Sequence, residues 1–287
     1  MAPTFLWVRR VFALLMVALL AWVLATGLDS VERADAVSLR FGLAVVLGLG
    51  GLLAASFSWS TLIDSSFRSG IVTFGATLPI RHLPLGGLGQ LAGLSGVSKA
   101  MGASNAHVAR AAPFFMVATA SGASLAASPI LWIGEAPTWM RLIVSFGVAG
   151  TVAFVLRGNW LVNVVVRRWH GVDDIEPLNL RVAVFWSFVA MSGAAAAFSV
   201  LFPMVGSYLE AVAGLSAAWL IGFLFVIAPA GLGVREAALV ALWPEIDTAT
   251  VVAAALTHRV STLAAEMVLF GLSWRLSKTF LNPRKAE

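Results

Sequence analysis

From Phe41 to Ile63 the chain runs without one charged side chain, and it does so again over 11–28, 111–134, 182–209 and 211–234. A shorter run, 142–156, sits between Arg141 and Arg157. The last stretch, 248–274, is apolar except for His258, Arg259 and Glu266. A helix that crosses hydrocarbon needs roughly 20 apolar residues. The runs are continuous and do not alternate, which predicts helices and not barrel strands. Hydrophobic residues make up 60% of the chain and charged residues 11%, against roughly 25% charged in a soluble domain. The expected fold is therefore all-α: a single integral membrane domain over 1–287, with about seven to eight transmembrane elements. Too little polar surface remains to clothe a soluble enzyme. With no cysteine, a disulfide scaffold and a cysteine-ligated metal are excluded. A pI near 10.7 would point to nucleic acid in a soluble protein. In a membrane protein it reflects basic residues gathered at the inner ends of spans, so no nucleic-acid partner is expected.

Those basic residues set an orientation. Arg9 and Arg10 place the N-terminus inside, and the run after them reads as a first span and not a cleaved signal. The connection Gly27–Arg40 carries Asp29, Glu32 and Asp35 and reads as outside. Arg68, Arg81, Lys99 and Arg110 return the chain to the inside. Glu135–Trp139 and Met204–Glu210 are poor in basic residues and external. Arg157, Arg167, Arg168 and Arg181 mark a cytoplasmic loop. Arg275, Lys278, Arg284 and Lys285 put the C-terminus inside. Most of the 19 basic residues are then cytoplasmic, as the positive-inside rule requires of an inner-membrane protein. Trp160, Leu161, Val164, Val165 and Trp169, interleaved with arginines, suggest a helix lying on the inner leaflet.

Two regions do not read as plain spans. One is Arg81-His82-Leu83-Pro84-Leu85-Gly86-Gly87-Leu88-Gly89-Gln90, after the apolar Ile71–Ile80. The other is Pro229-Ala230-Gly231-Leu232-Gly233-Val234-Arg235-Glu236, before Ala237–Trp243. Proline removes a backbone donor and clashes with the preceding turn, and glycine permits the reversal, so each region should break a helix. The flanking stretches are about half a span long. Broken backbone at membrane depth survives only when protein buries it or water lines it, and paired Gly/Pro interruptions point to a transport site. The shared pattern, Pro-x-Gly and then Leu-Gly, hints at an internal repeat.

Charge sharpens the second break. Arg235 and Glu236 open a short helix whose N-terminus favours an anion, and the Arg235 fork suits phosphate. Arg259 and Glu266 share a face of the last span, about 10 Å apart along it. Arg235 with Glu266, or Glu236 with Arg259, would be natural pairs, because intramembrane charges are usually paired and functional. His258 adds a titratable neighbour. The four histidines have no metal-ligand spacing, and no nucleotide or hydrolase motif occurs. No cofactor and no enzymatic activity are expected.

These motifs carry a resemblance. Pro229–Ala237 resembles the "PGGLGVREA" signature of flippase-like integral membrane proteins related to the transmembrane region of lysylphosphatidylglycerol synthase. Arg81–Gln90 is similar to that family's "RYLPGGVGQ", and Ala255–Thr262 to its "ALxYRLxT". The three stand in family order and spacing, and the resemblance covers nearly the whole chain. Leu85 stands where the family often has Gly, His82 and His258 where it has Tyr, and Val108–Pro113 lacks the usual Glu-Arg pair. The resemblance implies re-entrant or broken helices around a lipid-facing cavity, and transfer of an amphiphile from the inner to the outer leaflet. The chain stops soon after its last span, so no aminoacyltransferase domain, and no lipid synthesis, is expected.

The sequence thus leads to a lipid flippase whose headgroup site is drawn from Arg81, Pro84, Gly86, Gly87, Gly89, Gln90, Pro229, Gly231, Gly233, Arg235, Glu236, His258, Arg259 and Glu266. Membrane lipids are its expected partners, with a lipid-modifying enzyme or a second copy of the chain as further candidates. The alternatives are a secondary transporter of a small solute and a non-transporting subunit of a lipid-modifying system.

Overall fold

A computed structural model of the chain describes residues 34–82, 86–102, 105–132, 136–170, 178–224 and 233–281. The first apolar window, 11–28, lies outside them, as do Pro84, Pro229 and Gly231. The described residues form helices and no strand. In order they are α1 (Ala34–Leu62), α2 (Phe67–Thr77), α3 (Gly86–Ala100), α4 (Asn105–Ala127), α5 (Thr138–His170), α6 (Leu180–Leu201), α7 (Tyr208–Leu224), α8 (Val234–Leu242) and α9 (Thr248–Leu281). Short 3-10 turns extend α2 and α4 and follow α6. Five of these helices, α1, α4, α5, α6 and α9, are long and apolar enough to cross a membrane. This is an all-α architecture of multi-pass membrane type.

Two expectations change. The aromatic stretch Trp160–Trp169 is not a separate helix: α5 continues unbroken to His170. No proline interrupts it, and its glycines, Gly158 among them, are tolerated within a helix. Of the run 211–234 the described part is α7, which accounts for it as far as Leu224; residues 225–232 lie outside the described residues. The first break is narrower than its glycines suggest. Arg81 sits in the 3-10 turn Leu78–His82, and Gly86, Gly87, Gly89 and Gln90 already belong to the first turns of α3.

The centre is an antiparallel pair, α1 against α6. Gly51 and Gly193 face each other: a Cβ on Gly51 would stand 2.8 Å from the Ala190 carbonyl oxygen, and one on Gly193 3.0 Å from the Gly51 backbone. Small residues let the two backbones touch, the usual device where lipid supplies no hydrophobic drive. Further along, Ser58 donates to the Ala183 carbonyl at 2.9 Å, and its Oγ lies 3.0 Å from that of Ser187. Both serines are buried. The chain has no cysteine of its own, so Ser58→Cys with Ser187→Cys gives a clean test. Oxidation with a membrane-permeant oxidant should link α1 to α6, seen as retention of one band after proteolysis between them.

Each central helix is followed by an antiparallel hairpin. Gly93 of α3 lies against Thr77 and Ile80 at the end of α2. Trp59, one turn from the end of α1, donates to Ser98 near the end of α3 at 3.3 Å. In the second half, Gly222 of α7 lies against Arg235 of α8, and Gly214 against Leu242 and Trp243. Phe198, one turn from the end of α6, stacks on Trp243 at the end of α8 at 5.9 Å. Each hairpin thus returns to the C-terminal end of its own central helix, and because α1 and α6 are antiparallel these ends point in opposite directions.

The closing helices obey the same correspondence. Phe115 of α4 meets Trp59 edge-on at 5.5 Å and 80°, and His258 of α9 meets Phe198 edge-on at 5.5 Å and 83°. Gly122 of α4 abuts Ser187 of α6, and Ala265 of α9 abuts Gly48 of α1. These contacts of α1–α4 therefore have counterparts in α6–α9.

Candidate functional site

The site is built at the turn end of the second hairpin, where α8 begins. Gly233 precedes α8 with φ +80°, a left-handed conformation that costs an L side chain about 1–2 kcal/mol. Gly233→Ala should lower stability by about that amount, measurable as a shift in denaturant midpoint in detergent. This turn aims the Gly233 N–H at the Glu236 side chain, which accepts it through Oε2 at 2.7 Å. It is one half of a capping box, since glycine has no side chain to reciprocate. The carboxylate also sits in the first turn of α8, where the helix dipole favours it.

The other oxygen of Glu236 faces α9. Arg259 donates through Nε to Oε1 at 2.8 Å, with the glutamate side chain 11% and the arginine 23% exposed. The pairing of Glu236 with Arg259, one of the two open to these charges, is thus made. One carboxylate ties the hairpin turn to the last long helix by a charge-assisted bond.

Arg235 turns the other way. Its guanidinium lies over the ring of Trp219 on α7, 5.6 Å from the centroid, a cation–π geometry. Its stem crosses α7 at Gly222, where a Cβ would stand 2.6 Å from Arg235 Cγ. Neither Trp219 nor Gly222 was among the residues expected from sequence. Their three-residue spacing puts them on one helix face, and an aromatic beside a glycine was the available signal.

His258 adjoins Arg259 but reaches a third element. Its Nε2 is 2.9 Å from the Ala194 carbonyl of α6. A carbonyl only accepts, so Nε2 carries the proton. Glu266, two turns beyond Arg259 on α9, is buried. The described polar side chains thus draw α6, α7, α8 and α9 together around the turn into α8.

The first motif lies elsewhere. Leu94 of α3 belongs to the core with Trp59, Phe74 and Phe115, whereas Ala238 and Leu239 of α8 belong to one with Met140, Ala217 and Val251. Gln90 is half-buried, and its Nε2 has no hydrogen-bond partner among the described residues. The correspondence between halves makes the contrast sharper. Phe115 of α4 packs edge-on against its central helix as His258 of α9 does against its own. Among the described side chains, the buried acid on a closing helix is Glu266 of α9. Among the described residues no group of three acidic or histidine side chains is placed to hold a metal ion.

The chain matches no protein-family model, no curated protein and no solved structure.

Proposed function

We propose that this protein is a lipid translocator of the cytoplasmic membrane, moving a phosphate-bearing amphiphile between leaflets, and that it is a distant relative of the flippase-like proteins its motifs resemble. The observation that carries the reading is the Glu236 clasp, which spends a buried ion pair on fastening a hairpin turn to α9. Charges at such depth are costly and are functional by default.

In this reading α2–α3 and α7–α8 are re-entrant hairpins entering from opposite faces of the bilayer. Arg68 and Lys99 flank the base of the first, on the cytoplasmic side. Glu245 and Asp247 follow the second, with no Lys or Arg beside them, on the outer side. The window 11–28, α1, α4, α5, α6 and α9 then make the crossings, and both termini are cytoplasmic, in accord with the basic flanks. Hairpins of opposite entry, in halves of like packing, form the inverted-repeat arrangement of alternating-access carriers. Arg235 and the start of α8 engage a phosphate headgroup while the tails stay in lipid. The Arg259–Glu236 pair and Glu266 open and close that access. With no nucleotide motif in the chain, the membrane potential is a sufficient bias, about 2.3 kcal/mol per charge per 100 mV. The same architecture also serves solute carriers, which is the second reading.

The test is leaflet exchange in liposomes holding the purified chain, with labelled phospholipids and a polyprenyl-phosphate sugar. Arg235→Ala and Glu266→Gln are run beside it. Headgroup-selective exchange, lost in both variants, is the expected result. Folded protein that exchanges no lipid, but takes up a solute along an ion gradient, would replace this reading with the second. Folded protein inert in both assays, yet co-purifying with a lipid-modifying enzyme, would make it a non-transporting subunit.

A further inference from the structure

A second place in the fold has the form of a lipid site and shares no residue with the first. Between α4 and α5 runs a groove of roughly 490 Å³, lined by Phe114 and Val117 on one side and by Gly150, Ala153, Phe154, Arg157 and Trp160 on the other. That volume lies within the range of about 300–1,000 Å³ typical of ligand sites. Its floor is the stacked pair Phe114–Phe154, 5.9 Å between centroids. The groove exists because α5 presents small residues there: nothing lies within 4 Å of a Cβ built on Gly150. Arg157 is its only charged lining residue, and it forms no ion pair with any described residue.

The depth of the groove can be read from α5 itself. Trp139 and Trp160 are both exposed, at 44% and 59%. They are separated by about 31 Å of helix, close to the hydrocarbon thickness of about 30 Å. Tryptophans collect at the two membrane–water boundaries, so this pair marks them. Gly150 is then about 15 Å from Trp160 along the helix axis, near the bilayer midplane. The groove spans one leaflet, from its interface to its tail ends. Arg157 lies about 4.5 Å inside the Trp160 boundary, within reach of the headgroup level by extending its side chain outward.

We propose that this groove holds one anionic phospholipid of the leaflet at the Trp160 end, an acyl chain lying along Gly150 and Ala153 and the headgroup phosphate on Arg157. A chain one leaflet long matches the depth. The arginine at the mouth selects anionic over zwitterionic headgroups, in which the quaternary amine offsets the phosphate. The site is a resident lipid site and does not depend on whether the chain transports anything.

The experiment is native mass spectrometry of the full chain in detergent, titrated with phosphatidylglycerol or with phosphatidylcholine of the same acyl chains. Wild-type protein should retain one phosphatidylglycerol and bind phosphatidylcholine about tenfold more weakly, the usual worth of one charge-assisted contact. Arg157→Gln should remove that preference. Gly150→Leu should abolish retention of the bound lipid, because the new side chain fills the groove without meeting a neighbour. Unchanged thermal unfolding of the lipid-free variants shows that both are folded. Equal binding of the two lipids by wild type, or phosphatidylglycerol retention unaltered in both variants, would reduce the groove to ordinary annular contact. A dimer mass that Gly150→Leu converts to monomer would assign the groove to a second copy of the chain.

Discussion

Replacing Glu236 by alanine is expected to destabilise the protein by about 3–5 kcal/mol, the cost of stripping a buried charge of its partner. Two groups lose their bond to the carboxylate at once: the Arg259 guanidinium at 2.8 Å and the Gly233 N–H at 2.7 Å. Arg259→Met alone leaves the Glu236 carboxylate unpaired, but still bonded to Gly233 and still at a helix N-terminus, so its cost should be smaller. Removing both partners should cost less than the sum of the two, since a buried pair replaced by apolar groups is often neutral. A double-mutant cycle on unfolding in detergent measures this. A coupling of zero would mean that the clasp is incidental to the fold.

The second large effect is steric. Gly51→Leu should cost about 3 kcal/mol, at the upper end for overpacking, because its Cβ meets the Ala190 carbonyl oxygen at 2.8 Å and the Ala194 nitrogen at 3.3 Å. Both are backbone atoms of a helix and neither can swing away, so α1 and α6 must separate along their length. Gly50→Leu, one residue away with nothing within 4 Å, is the matched control and should fold as the parent does. The pair is compared by yield of monodisperse protein and by unfolding midpoint.

The helices were legible in the sequence for a simple reason. In lipid every backbone polar group must be satisfied within its own segment, so an uncharged apolar run has few alternatives to helix. Where that constraint weakens, the reading weakened too. Whether 211–234 crosses depended on the partner of α7, and the antiparallel contacts Gly222–Arg235 and Gly214–Trp243 are non-local facts that no window of hydropathy contains. The end of α5 was misplaced because the amphipathic signature of an interfacial helix equally describes a span that runs on into water. In the site, charge alone offered Glu236 with Arg259 as one of two natural pairings, because buried ions are usually paired. Trp219, Gly222 and Ala194 could not be found this way. An aromatic face, a missing Cβ and a carbonyl are ordinary in isolation, and acquire a role only from what the fold places beside them.

The antiparallel contact of α1 with α6 also bears on how the protein is made. Ser58 finds its acceptor in Ala183 and its neighbour in Ser187, residues that do not exist until well over a hundred more have been polymerised. At about 5–20 residues per second, α1 waits on the order of ten seconds in the bilayer with a bare notch at Gly51 and an idle hydroxyl. The first half therefore cannot complete its own core during synthesis. It is finished by the second, in the way a subunit is finished by its partner. Two separately expressed halves, divided in the connection between α5 and α6, should consequently reassemble in one membrane, and each alone should be the target of quality control.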